Sequence, residues 1–365
     1  MKVANIVENN HGTTFTLSGV DKSVANALRR IMISEIKCVA MRTTPADKCD
    51  VNITVNTCRF NNEIIKQRLS CVPVHIVDMD TPIEQMVLEL DVCNNTDEFM
   101  YVTTQHIKIL ITTTDKYLSA DDVLEIFPPN PQTGHHVIIT RLRPRLSVDV
   151  SGEHLAFTSK LSFVDVSENS MFNVVSTCSY GNTPDPNKIA LHRKIKEQDL
   201  KDEGVSQENT LFELNNWALH DAQRIFLPDS FDFTVKTIGV FTCKEIIQRA
   251  CDKMMEKVTN LHTLFNTDSV SIKDTDSTIQ NGYDIKLQNE DYTIGMLVQH
   301  LAYSQYYEGA KTLSYCGAKK LHPHDAFIVI KLGYVEETTR GHVIENMLSV
   351  LQNGADIFKH LREMF

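Results

Sequence analysis

The 365-residue sequence lacks the common signatures of catalysis. It has no G-x-x-x-x-G-K-[ST] phosphate loop, no G-x-S-x-G nucleophile elbow and no H-E-x-x-H, which removes the usual phosphoryl-transfer, acyl-transfer and metallopeptidase chemistries. No C-x-x-C pair occurs among the nine cysteines, an odd number scattered from Cys38 to Cys316. That pattern argues against a disulfide scaffold or zinc site and fits reduced thiols of a cytosolic or nuclear compartment. No apolar run approaches a membrane span, and Met1–Glu8 lacks the apolar core of a signal peptide, so a soluble intracellular protein without a membrane partner is expected. A surplus of cations is missing too. Lys and Arg number 36 against 47 Asp and Glu, a formal charge of −11, which argues against a chain that holds nucleic acid by itself.

What is present is ordinary globular material, 42% hydrophobic and 23% charged, long enough for two or three cores. Few side chains group in a way that carries chemistry. Asp78 and Asp80 form a D-x-D, short of the convergent carboxylates that two-metal nucleotidyl transfer requires, and they precede a helix start at Thr81-Pro82-Ile83-Glu84. His135 and His136 lie in a Pro-rich turn and read as solvated. Arg141, Arg143 and Arg145 alternate as on a strand and are the one candidate phosphate contact, with a salt-bridged or partner-facing edge the favoured use. No catalytic residue, cofactor or metal site is expected.

Helical periodicity is clearest in four places. A helix from about Ser23 to Glu35 gathers Val24, Ala27, Leu28, Ile31 and Met32 on one side and Asn26, Arg29, Arg30 and Ile33 on the other. Ile33 among those arginines marks the second side as a covered surface. A long helix from Thr242 to Phe265 carries Ile246, Ile247, Ala250, Met254, Val258, Leu261 and Phe265 on one stripe. A third helix starts at Thr293 and runs to about Tyr306, and a closing helix from Thr338 to Met364 aligns Ile344, Met347, Leu348, Leu351, Ala355 and Phe358. Residues 43–182 are dominated by strand-like alternation, 194–208 read as an exposed loop or surface helix, and 266–281 are small and polar like a junction.

Several motifs resemble the third and eleventh subunits of eukaryotic RNA polymerase II and the N-terminal domain of the bacterial alpha subunit. They are Asn26-Ala27-Leu28-Arg29-Arg30 with Ser34-Glu35-Ile36, the Arg68-Leu69 to Pro73-Val74 stretch, and Phe233 to Gly239 before the long helix. Later come Asn289-Glu290-Asp291 with Thr293, Gly295 and Leu297, then His322-Pro323. The order and spacing of these motifs carry the resemblance. It implies an α+β fold of two alpha-subunit-type dimerisation units packed as an intramolecular pseudo-dimer. Residues 1–42 and 183–265 would be similar to the third subunit, 43–182 would be a mostly β inserted domain, 266–281 a linker, and 282–365 similar to the eleventh subunit.

The implied function is a non-catalytic assembly platform of a multisubunit DNA-directed RNA polymerase. Its partners would be the largest and second-largest subunits and small polymerase subunits, with DNA and RNA met only through the complex. A free-standing nucleic-acid-binding transcription factor is the alternative. Asn26, Arg29, Arg30, Ile33, Arg68, Asp291 and Thr293 would face other subunits. Ile247, Met254, Val258 and Leu261 would meet Ile344, Leu348, Leu351 and Phe358 along an internal helix seam. The four-cysteine zinc loop frequent in the third subunit is reduced here to Cys93, so zinc is expected to be absent. Fusion of the two parts resembles the polymerases of large cytoplasmic DNA viruses of the asfarvirus type, which implies the infected-cell cytoplasm and virion, or the nucleus otherwise. A fused chain converts dimerisation into intramolecular docking.

Overall fold

The computed structural model describes residues 1–9, 12–145, 147 and 151–365 and is a mixed α/β structure. Strands β1 (Lys2–Asn9) and β2 (Gly12–Ser18) lead into helix α1 (Lys22–Ser34). Next come β3 (Cys38–Ala40), β4 (Val51–Asn56), α2 (Asn62–Ser70), β5 (Met86–Cys93), β6 (Met100–Thr103), β7 (Lys108–Ile111) and β8 (Lys116–Tyr117). Helix α3 (Ala120–Ile126) precedes β9 (Ile138–Leu142), β10 (His154–Lys160), β11 (Ser162–Val164) and β12 (Val175–Pro184). Helices α4 (Pro186–Asp202) and α5 (Gln207–Leu219) separate β12 from β13 (Phe226–Thr237), and α6 (Cys243–Asn266) follows. The chain ends with β14 (Ser271–Asp274), β15 (Gly282–Gln288), α7 (Tyr292–Ala302), β16 (Leu313–Lys319), β17 (Phe327–Tyr334) and α8 (Arg340–Glu363).

Two compact units divide these elements. Unit 1 comprises Met1–Ile31, Thr177–Lys236 and Ile247–Phe365; unit 2 comprises Met32–Ser176 and Thr237–Ile246.

Unit 1 holds two four-stranded sheets with the same strand order, β1-β2-β13-β12 and β14-β15-β17-β16. Their registers match as well. Phe15 stands opposite Phe233 in the first and Ile285 opposite Ile330 in the second, all four fully buried. Just past each leading strand the backbone turns at positive φ, 70° at Gly19 and 57° at Asn289, the residue types that tolerate that region best. Each sheet is then followed by a helix of 24 residues, α6 and α8. In the first sheet Phe15 stacks on Phe233 at 4.9 Å and receives the edge of Phe365 at the same distance.

Unit 2 is built on a five-stranded sheet in the order β4-β10-β5-β7-β8 and the ribbons β6-β9 and β3-β11. Helix α2 starts at Asn61, whose side chain accepts the Ile64 N–H at 3.0 Å, and buries Ile65 and Leu69, one turn apart, in a core with Leu88, Ile109, Ile139 and Phe157.

Some local expectations change. Residues 266–281 are more than a junction, because Ser271–Asp274 pairs antiparallel with β15 as the edge strand of the second sheet. The third helix ends its α-helical part at Ala302 and continues as a π-type turn over Tyr303–Gly309. Thr81-Pro82 leads only into a 3-10 turn at Ile83–Gln85 without a side-chain cap. Asp78 Oδ1 accepts the Asp80 N–H at 3.0 Å, so the D-x-D closes a turn. Residues 194–208 cover the end of α4 and the start of α5.

Candidate assembly interface

Helices α1 and α7 begin alike. Asp21 Oδ1 accepts the Ser23 N–H at 2.7 Å and the Asp21 carbonyl accepts from Ala25. Asp291 Oδ1 accepts the Thr293 N–H at 2.7 Å and its carbonyl accepts from Gly295. Each aspartate thereby occupies free amides of its own first turn, where helix polarity also favours a negative charge.

Each cap also meets the other helix. The Arg30 guanidinium donates from one terminal nitrogen to Asp291 Oδ2 at 2.6 Å and from Nε to Thr293 Oγ1 at 2.7 Å. In the opposite sense His300 of α7 lies 3.7 Å from Asp21 Oδ1. Arg30 and His300 stand at the same distance along the chain from their own helix caps, so the two contacts are reciprocal. Burial pushes the Asp291 carboxyl upward, but hydrogen bonds from Thr293 and the charge of Arg30 outweigh it and hold the group below its ordinary value. Asp21 is likewise lowered, with burial opposed by hydrogen bonds at Ser23 and by the nearby His300.

Further ion pairs join α6 and the turn after it to the segment that carries the second sheet, α7 and α8. Asp252 of α6 meets Arg362 of α8 at 2.6 Å, Asp268 meets Arg340 at 2.6 Å, and Lys257 meets Glu290 at 3.3 Å with both side chains at least four-fifths buried. Gly354 of α8 faces Leu297 and Leu301 of α7 and Val258 of α6, and a methyl group there would lie 3.4 Å from Leu301.

The expected site residues separate into groups. Arg30, Asp291 and Thr293 converge, though on one another rather than on a second protein; the expectation that Arg30 is free for capture is corrected by the two hydrogen bonds that hold it. Arg30 keeps 43% of its side chain exposed. Arg29 donates to Asn26 Oδ1 at 2.9 and 3.1 Å on the same helix, and Ile33 is half-buried. Arg68 lies apart from this group in sequence and belongs to unit 2, where it donates to the Ile138 and Ile139 carbonyls at 2.6 and 2.7 Å and pins α2 to β9.

Along the expected seam Ile247, Met254, Val258, Leu261, Leu351 and Phe358 are buried, whereas Ile344 and Leu348 are only half-buried. The buried stripe of α8 takes in Val343, Asn346, Val350 and Gly354 beside the expected Met347, Leu351 and Phe358. Asn346 on that stripe donates to the Tyr334 hydroxyl at 3.1 Å, a polar contact that a hydrophobic pattern rejects. Asp21 reads as a helix cap from the sequence, but its contact with His300 and the Asp252–Arg362 pair have no local signal; aligning the Asp-x-Ser and Asp-x-Thr helix starts puts His300 at the position that Arg30 holds.

The basic segment at Arg141 is largely neutralised. Arg143 pairs with Glu153 at 2.9 Å, Arg145 pairs with Asp97 at 2.8 Å, and Arg141 lies over the Phe99 ring at 4.7 Å.

Sequence comparison adds the family. Over 60 residues the chain is 45% identical to subunit 3B of the DNA-directed RNA polymerases IV and V of Arabidopsis thaliana, covering 16% of this chain and 17% of that protein. Over 75 residues it is 35% identical to the rpac1 subunit of the DNA-directed RNA polymerases I and III of Dictyostelium discoideum, 20% of each. Each match thus spans a fifth of the relative or less. A broader match runs from β2 into α6, over residues 14–258, and leaves β14 to α8 outside it. With two-thirds of its length so matched, the chain belongs to the RNA polymerase Rpb3/Rpb11 dimerisation domain family.

Proposed function

We propose that this chain is a non-catalytic assembly subunit of a multisubunit DNA-directed RNA polymerase that carries both members of an alpha-type pair in one polypeptide. Unit 2 is the domain inserted into the first member. The two repeats of unit 1 form a pseudo-dimer, and its exposed helix surfaces dock the largest and second-largest subunits. The observation that carries this reading is the reciprocal capping of α1 and α7, Arg30 on Asp291 and His300 on Asp21, between repeats of equal strand order. Such self-complementary contacts are what a two-fold interface requires.

Arg30 is engaged within the chain, so Asn26, Arg29, Ile33 and the exposed part of Arg30 remain for the large subunits. On this reading the chain works in the infected-cell cytoplasm and virion if it is viral, and in the nucleus otherwise. The test is co-expression of the full chain with the two large subunits from the same source. Both should be retained in equal amounts through a high-salt wash. Arg29→Ala, which leaves the Arg30 contacts in place, should weaken capture by about 2–5 kcal/mol if its guanidinium becomes desolvated against a partner. A folded chain that retains neither large subunit would remove the assembly role.

A further inference from the structure

Unit 2 contains a cleft of about 580 Å³, a size typical of ligand sites, between α3, β7 and β8. Its walls are Ile107, Leu118, Val123, Leu124 and Phe127. Two polar atoms in this apolar setting have no hydrogen-bond partner among the described residues, Thr104 Oγ1 and His136 Nδ1. Thr104 is only 1% exposed and lines the cleft, as does His136. The backbone brings them side by side, since the Thr104 N–H donates to the Val137 carbonyl at 3.0 Å. The reading of His136 as a solvated turn residue is thereby corrected: it is half-buried and its ring nitrogen is enclosed. A buried hydroxyl and a buried imidazole nitrogen left unpaired are destabilising, so their persistence beside an open cleft points to a group that completes them from outside.

The chemistry of that group is constrained. Lys108 and Asp121 line the same cleft and cancel in charge, which favours a neutral occupant. A peptide unit offers both a donor and an acceptor, and so satisfies a hydroxyl and an imidazole in either tautomer. Strand β8 is the outer edge of the five-stranded sheet. The Leu118 N–H is given inward to the Ile109 carbonyl at 2.8 Å, so antiparallel alternation turns the backbone groups of Tyr117 to the open edge. An exposed strand edge beside an apolar cleft is the arrangement by which sheets take an added strand, with main-chain bonds along the edge and a side chain in the pocket.

We infer that this cleft of unit 2 binds an extended, neutral polypeptide segment, which lays its backbone beside β8 and inserts one large apolar side chain against Phe127 and Ile107, with a peptide group on Thr104 and His136. This site is independent of the polymerase assignment.

The test uses the full chain and the peptide acetyl-Thr-Val-Phe-Val-Thr-amide, with binding measured by isothermal titration calorimetry. Saturable binding is expected, weakened about fivefold by Thr104→Val and by His136→Phe, the loss of one neutral hydrogen bond. Thr104→Val should also melt at the same or a higher temperature, because it removes an unpaired buried hydroxyl, and this separates lost binding from lost folding. A backbone N-methylated version of the peptide should not bind. Absence of saturable binding, or an affinity unchanged from the parent chain in both variants, would overturn the site. Benzamide binding as tightly as the peptide would overturn the polypeptide assignment.

Discussion

Removing the Arg30 guanidinium tests whether α1 and α7 hold each other. From sequence alone Arg30→Ala would be a surface change worth no more than about 0.5 kcal/mol, but the structure gives a different magnitude. Two short bonds leave the guanidinium, at 2.6 Å to a carboxylate and 2.7 Å to a hydroxyl. Hydrogen bonds to charged groups contribute about 1.5–3 kcal/mol, whereas fully exposed ion pairs contribute about 0–1 kcal/mol. With the Arg30 and Asp291 side chains 43% and 39% exposed, the pair falls between, and a coupling of about 1–1.5 kcal/mol is expected.

The cycle is best made with Arg30→Met, which keeps the aliphatic stem, and Asp291→Asn, which keeps a competent helix cap while removing the charge. Trp217, the single tryptophan, lies in unit 1 with both partners and reports its unfolding by fluorescence. Denaturant curves for the parent, the two single variants and the double variant yield the coupling, which should shrink at molar salt because both groups are partly exposed. Additivity to within about 0.3–0.5 kcal/mol would show that the contact does not bind the repeats together.

The proposed helix seam makes a second prediction: Leu261→Ala and Leu351→Ala, at 3% and 1% exposure, should each cost about 2–5 kcal/mol. Leu348→Ala, at a half-buried position, should cost clearly less, and equal losses by the same fluorescence assay would put the seam on the wrong face. Acid should loosen unit 1. Asp21 and Asp291 have lowered folded values, so their contribution is present above the unfolded carboxylate value near pH 4 and is lost as pH falls through the folded values. The unfolding midpoint should be flat between about pH 7 and 5 and drop below about pH 4, with a shallower drop in Asp291→Asn; an unchanged slope in that variant would contradict the assignment. Elemental analysis should find no stoichiometric zinc, and one zinc per chain would refute this.

The sequence revealed periodic features well and reciprocal ones poorly. The apolar face of α1 is legible because Val24, Ala27, Leu28, Ile31 and Met32 recur at helical spacing, and all are buried. On α8 the same logic chose Ile344 and Leu348 over Val343 and Val350, because neighbouring arcs are both apolar and the buried Asn346 hides the true one. Arg30 could be placed opposite the core, yet its partner lies 261 residues away, beyond the reach of any local pattern. Arg68 looked like a subunit contact because charge at a motif reads as recognition, whereas its work is to hold two carbonyls of β9. Strand β14 was hidden by composition: Ser271 and Lys273 are exposed edge residues, and only Ile272 between them turns inward.

The spacing between Arg30 and Asp291 sets a clock on synthesis. A ribosome adding about 5–20 residues per second needs about 10–50 s to travel from one to the other. During that interval the nascent chain displays Arg30 without Asp291 and Thr293, and Val258 of α6 without Gly354, which it faces in the folded chain. A pair encoded as two polypeptides would wait on diffusion and on the abundance of the second product. Here the delay has a fixed length, because both partners of the contact lie on one chain.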